Sequence, residues 1–212
     1  AGVNAGNSIA SGGNYNVVVG DEAGTAISTG DNNTLLGYAA GDSVTTGSFN
    51  TLLGTVAGDA LTTANSNVAV GYSALSTDTL GAKNVAVGVS ALLTQNFTTA
   101  TDSFNTGVGH NAGKLITTGV GQTLIGGLAG DAITTGADNT AVGYQALTTN
   151  QTSANNTAVG VSALKLNTGA DNTAVGRGAL LNQAAGSDNT AVGKDAGNDV
   201  TTGVNNVLIG SL

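Results

Sequence analysis

Residues able to do chemistry are scarce in this chain. It has one histidine, His110, one glutamate, Glu22, and no cysteine. No thiol nucleophile, zinc–thiolate site or disulfide frame is therefore available. Acid–base or nucleophilic catalysis needs several such groups converging on one point. Gly107-Val108-Gly109-His110-Asn111-Ala112 mimics a dinucleotide fingerprint, but that motif has meaning only between a strand and a helix, and no helical pattern follows it. Asp42, Asp59 and Asp131 each follow a glycine, as in a calcium-binding turn, yet no Gly-Gly-x-Gly-x-Asp run is present. The expectation is a non-enzymatic protein with no catalytic residue, cofactor or metal. His110 reads as a surface residue and the three aspartates as solvated turn acids.

Composition narrows the classes further. The 212 residues carry a formal charge of -8, are 40% hydrophobic and only 8% charged, and include no Pro, Cys, Met or Trp. Gly, Ala, Thr and Asn make up more than half of them. Five basic residues cannot build the basic face that a nucleic-acid groove requires. No apolar run approaches the ~20 residues of a membrane span. Without a starting Met or a targeting segment, the chain reads as a processed or excised piece.

An internal repeat must position whatever side chains matter. With the glycine of Asn67-Val68-Ala69-Val70-Gly71 as position 0, equivalent glycines recur from Gly2 to Gly210, at spacings of 16 to 21 residues and mostly 17. Alanine stands at +3 in every copy that reaches it, and -4 is Asn in every full copy except for Gln122. A 17-residue unit is too short for a helical pair, and its β-branched residues cluster just before the glycine. It fits a short strand, a turn, a second short strand and a turn. The chain is therefore expected to be an all-β parallel β-solenoid, a single repeat domain over residues 1–212 cut inside a repeat at both ends. About twelve coils at ~4.8 Å each would give a length near 58 Å. The -4 asparagines should stack into a ladder that fixes register.

The copies vary in a coupled way. Where +4 is Gly (Gly6, Gly24, Gly41, Gly58, Gly113, Gly130, Gly197), +7 is aliphatic, as in Ile27, Val44 and Leu61. Where +4 is Leu (Leu75, Leu92, Leu147, Leu164, Leu180), +7 is Asp, Asn or Gln and -2 is Ala. Large and small residues thus trade places, which predicts that -2, +4 and +7 share one filled cross-section. Strand alternation then turns -1 outward. That position holds Val19, Leu36, Leu53, Val70, Val87, Val108, Ile125, Val142, Val159, Val175, Val192 and Ile209. A stripe of this length exceeds what a monomer usually exposes, so these residues are expected to form a subunit interface.

Asn67-Val68-Ala69-Val70-Gly71-Tyr72-Ser73-Ala74 and Asn139-Thr140-Ala141-Val142-Gly143-Tyr144-Gln145-Ala146 resemble the head repeat of YadA-like trimeric autotransporter adhesins. Similar repeats occur in phage tail-fibre-like proteins. The resemblance covers all but the chain ends. It implies a left-handed β-roll, a homotrimer, and a place on a bacterial surface, anchored in the outer membrane through other regions. It also implies binding to host matrix proteins, cell surfaces or glycans. Two features depart from that family: the 17-residue coil is longer than its usual head repeat, and neck, stalk and membrane barrel are missing. Val142-Gly143-Tyr144-Gln145-Ala146-Leu147 also matches one hexad of left-handed-helix acyltransferases. Those coils need three hexads each, and one per coil argues against that enzyme.

Candidate contact residues are Tyr38, Tyr72 and Tyr144 at the variable +1 position, and Phe97 on a loop created by the longest copy. The Thr pairs, such as Thr45-Thr46 and Thr134-Thr135, run into a turn and read as turn chemistry. The expected function is that of a surface adhesin or fibre segment. A phage tail-fibre shaft and a filament joined end to end are the alternatives. No nucleic acid and no membrane contact by this segment are expected.

Overall fold

The computed structural model describes residues 2–10 and 12–211; Ala1, at -1 of the first copy, and the terminal Leu212 lie outside them. The described residues contain no helix, and the chain is a parallel β-solenoid of about 11 turns at 17-residue spacing. It comprises two compact units, Ala1–Asn105 and Thr106–Leu212.

In the first unit, β1 (Val17–Val19), β2 (Thr34–Leu36), β3 (Thr51–Leu53), β4 (Val68–Val70) and β6 (Val85–Val87) pair in that order, all parallel. A smaller parallel pair joins β5 (Gly81–Ala82) to β7 (Thr101–Asp102). In the second unit, β8 (Thr106–Val108), β9 (Thr123–Ile125), β10 (Thr140–Val142), β11 (Thr157–Val159), β12 (Thr173–Val175), β13 (Thr190–Val192) and β14 (Val207–Ile209) pair likewise. Register is set copy on copy: Thr140 lies opposite Thr157 and Val142 opposite Val159.

Each strand ending at -1 is three residues long because the backbone turns sharply on both sides. Position -5 is in the left-handed region, as at Phe49 (φ 61°) and Asp138 (φ 54°). The anchor glycine lies at φ 129–140° in every described copy from Gly20 onward, a region that only glycine enters freely. A Cβ on Gly71 would also sit 2.6 Å from the carbonyl oxygen of Gly88. The repeat glycine thus answers both a conformation and a close backbone approach. Every departure from 17-residue spacing falls between +7 and -5: in Ile9–Tyr15, in Gln95–Phe104 and in Asn167–Asp171.

The shared cross-section is present as the coupled substitutions predict. Leu35, Leu52, Leu124, Ile27, Leu61, Ile133 and all five +4 leucines are fully buried. Position +4 is left-handed in both kinds of coil, at φ 55° for Gly58 and 56° for Leu147. A Cβ on Gly58 would lie 2.8 Å from Leu52 Cδ2 and 2.9 Å from Leu61 Cδ1. The -2 and +7 side chains therefore occupy the space that a +4 leucine claims in the other kind of coil. A left-handed leucine costs roughly 1–2 kcal/mol. Its full burial returns about 1.5–3 kcal/mol, enough to offset that strain.

The -4 amides form the ladder. Asn33 Nδ2 donates to Asn16 Oδ1 (3.1 Å) and to the Gly47 carbonyl (2.9 Å), while its backbone N–H donates to Asn16 Oδ1 (2.9 Å). Asn50 repeats the set on Asn33 and Ala64. In the second unit the ladder runs through Asn139, Asn156, Asn172, Asn189 and Asn206. The buried asparagines of the ladder are hydrogen-bonded within the protein itself, as buried polar groups must be.

Candidate surface site

The outward strand faces come first, because they present the most regular chemistry. With -2 inside, -3 and -1 point away from the coil interior. The -1 residues are exposed or half-buried: Leu36 is 48%, Ile125 41% and Val192 40% exposed. In the second unit β8 to β13 all begin with Thr and end with Val or Ile. Each strand there offers one hydroxyl and one branched aliphatic, and no charge stands at either position. Such a face can pack against another apolar surface.

Beyond the bare anchor glycine lies the +1 row. Tyr38, Tyr72 and Tyr144 are all exposed there, together with Val89 and Val161. The Glu22 carboxylate, as acceptor and as nearby negative charge, holds the Tyr38 phenol above its ordinary value. Glu22 belongs to the preceding coil at +2, and it also lines an open recess of about 560 Å³ with Asn4, Asn7, Ser8, Thr25 and Asp42. Thr25 Oγ1 donates to Asp42 Oδ1 across adjacent coils. The composition of this recess did not emerge from the sequence. The available signal was the register itself, which sets +2 of one coil diagonally beside +1 of the next.

Phe97 corrects an expectation. It does not stand on a protruding loop but is buried, with 6% of its surface exposed. The inserted stretch is anchored at Gln95 and Phe97, while Thr98, Thr99 and Ala100 beyond them are exposed. Buried Asp78 accepts from the N–H groups of Gly81 (3.0 Å) and Phe97 (3.1 Å) and from Gln95 Nε2 (2.6 Å). Pairing of β5 with β7 closes the tab, and the Phe97 ring occupies the space beside Gly81, where a Cβ would lie 2.9 Å from it. Phe104 is the exposed aromatic of this copy, with Lys83 Nζ 5.1 Å from its ring centre and 2.6 Å from Asp102 Oδ2. Tyr15 and Phe49 are exposed aromatics at -5, a turn position that the sequence pattern did not single out.

The remaining candidates stay apart. His110 is exposed, and no group of three or more His, Cys, Asp or Glu that could hold a metal occurs among the described residues. Asp59 and Asp131 are less solvated than turn acids should be: burial raises both carboxyls above their usual range. The neighbouring charge of Asp42 adds to the rise at Asp59, whereas Lys114 opposes it at Asp131. In several Thr pairs the first hydroxyl donates to a carbonyl of the next coil, as Thr45 does to Thr62 (3.2 Å) and Thr134 to Gln151 (3.0 Å). No helix is long and apolar enough to cross a membrane among the described residues. Comparison with models of known families, with curated proteins and with solved structures finds no match.

Proposed function

We propose that this chain is a segment of an extracellular fibre or surface adhesin, a non-enzymatic β-solenoid that associates with further copies of itself through its outward strand faces. The observation that carries this reading is the aliphatic residue at -1 on every strand of the -1 series, solvent-facing rather than internal. Such a repeated apolar surface is stabilised by cover, at about 25 cal/mol per Å² removed from water. Resemblance to trimeric adhesin heads favours a homotrimer. Solution mass by light scattering after size exclusion tests it. A trimer is expected for the parent chain, and Val142→Asp with Val159→Asp should shift it toward monomer, with the circular dichroism of the strands kept. A parent that elutes as a monomer at every concentration would overturn the assembly.

A further inference from the structure

We infer that the first unit carries a binding site for a neutral, extended β-1,4-linked oligosaccharide, formed by the recess around Glu22 and Asp42 together with the exposed rings of Tyr38 and Tyr72. The inference rests on the adhesive reading and names its ligand chemistry.

The recess offers two amides (Asn4, Asn7), two hydroxyls (Ser8, Thr25) and two carboxylates (Glu22, Asp42), with no basic residue among its lining groups. Amides and hydroxyls both donate and accept, and carboxylates accept strongly. Sugar hydroxyls, each one donor and two acceptors, match that inventory, whereas phosphates, sulfates and acidic sugars are repelled by the carboxylates. Tyr38 supplies what a polar recess lacks. Its ring is about half exposed, and the N–H of the following Ala39 donates to the carbonyl of Asp21 (2.8 Å), which sets Tyr38 beside Glu22, so a flat apolar face stands next to the hydrogen-bonding groups. The axial C–H face of a β-linked pyranose stacks on such a ring while its equatorial hydroxyls turn to the polar side.

Register then sets the length of the ligand. Tyr72 occupies the same +1 row two coils further on, ~9.6 Å away at the spacing of parallel strands. That distance matches the advance of two sugars along an extended β-1,4-linked chain. The +1 residue between them is Thr55, too small to obstruct a sugar that bridges the rings. An α-1,4-linked chain coils and cannot meet both tyrosines.

Calorimetric titration of the parent chain with cellohexaose, cellobiose and maltohexaose tests the proposal, with solution mass recorded on each sample. Cellohexaose should bind, maltohexaose at least tenfold more weakly. Tyr38→Ala should abolish the binding of both cello-oligosaccharides. Tyr72→Ala should weaken cellohexaose about tenfold and leave cellobiose unchanged, and Tyr144→Ala, in the other unit, should change neither. Absence of cellohexaose binding to a chain of normal mass would overturn the site but not the assembly. Binding that survives both Tyr38→Ala and Tyr72→Ala would overturn it too. A monomeric parent that still binds cellohexaose through Tyr38 would overturn the assembly and leave the site standing.

Discussion

The coils beginning at Gly37 and at Gly143 meet the same two demands by opposite means. In the first, Gly41 leaves the interior to Leu35 and Val44, and the N–H of Gly47 at +10 donates to the carbonyl of Thr62 in the next coil (3.3 Å). In the second, Leu147 fills the interior, -2 shrinks to Ala141, and the N–H of Ser153 at +10 donates to its own coil's Asn150 Oδ1 (2.9 Å). Gly30, Gly119 and Gly136 follow the first scheme, and Gly81 and Gly169 the second, through Asp78 and Asn167. Polarity at +7 is thus not a defect in the core. Once leucine removes the need for a third apolar group, the vacated position serves the corner amide. In these coils the glycine scheme takes that bond from a neighbour and the leucine scheme supplies its own, whereas in the Leu180 coil Gln183 Nε2 donates to the Gly186 carbonyl instead.

The most damaging way to test this contrast is to convert one coil halfway. Gly58→Leu drives a side chain into Leu52 and Leu61, and overpacking with left-handed strain should cost at least about 3 kcal/mol. Adding Leu52→Ala and Leu61→Asn should recover more than half of that loss. The new amide can address the backbone of Ala64 as Asn150 addresses Ser153. Urea midpoints of the three chains decide the matter, and a triple variant no better than the single one would break the volume trade.

A smaller effect separates the ladder from the corner. Asn156→Ala strips hydrogen-bond partners from Asn139 and Asn172 in adjacent coils and should cost about 2–3 kcal/mol. Asn150→Ala disturbs one corner only and should cost about 1 kcal/mol. Equal losses in thermal melts would mean that the ladder has no special role.

The smallest expected effect is electrostatic. Because Asp59 and Asp131 titrate above the ordinary carboxylate value when folded, the folded state binds the proton more tightly. Each acid therefore favours folding below its unfolded value and loses that contribution as pH rises through the raised one. Asp59→Asn should raise the melting temperature at pH 7 and leave it unchanged near pH 3. Asp131→Asn should do so less, since Lys114 already offsets part of the burial. A larger gain at Asp131 would contradict the assigned causes.

Fold and core were legible because they repeat: twelve chances to see +3 Ala, -4 Asn and the +4/+7 exchange leave little room for another packing. The outward turn of -1 followed from strand alternation alone. Phe97 was misplaced because the insertion occurs once, and a single copy has no neighbours in sequence to show that Asp78 and Gln95 would hold it down. The recess beside Tyr38 was hidden for a related reason. It is built from seven residues of mixed type in three coils, and no periodic signal marks it. Repetition reveals what every coil shares and conceals what one coil adds.

Length changes are confined to the stretch between +7 and -5, which is shorter by one residue in one copy and longer by one and by four in two others, while the glycine stack, the ladder and the strands kept their places. The protein therefore has a cloning slot in each coil. A foreign peptide spliced there would hang from a corner whose two ends are already pinned, and peptides in successive coils would be held about one strand spacing apart, ~4.8 Å. A vaccine epitope or an enzyme-recruiting tag could be arrayed on it by address.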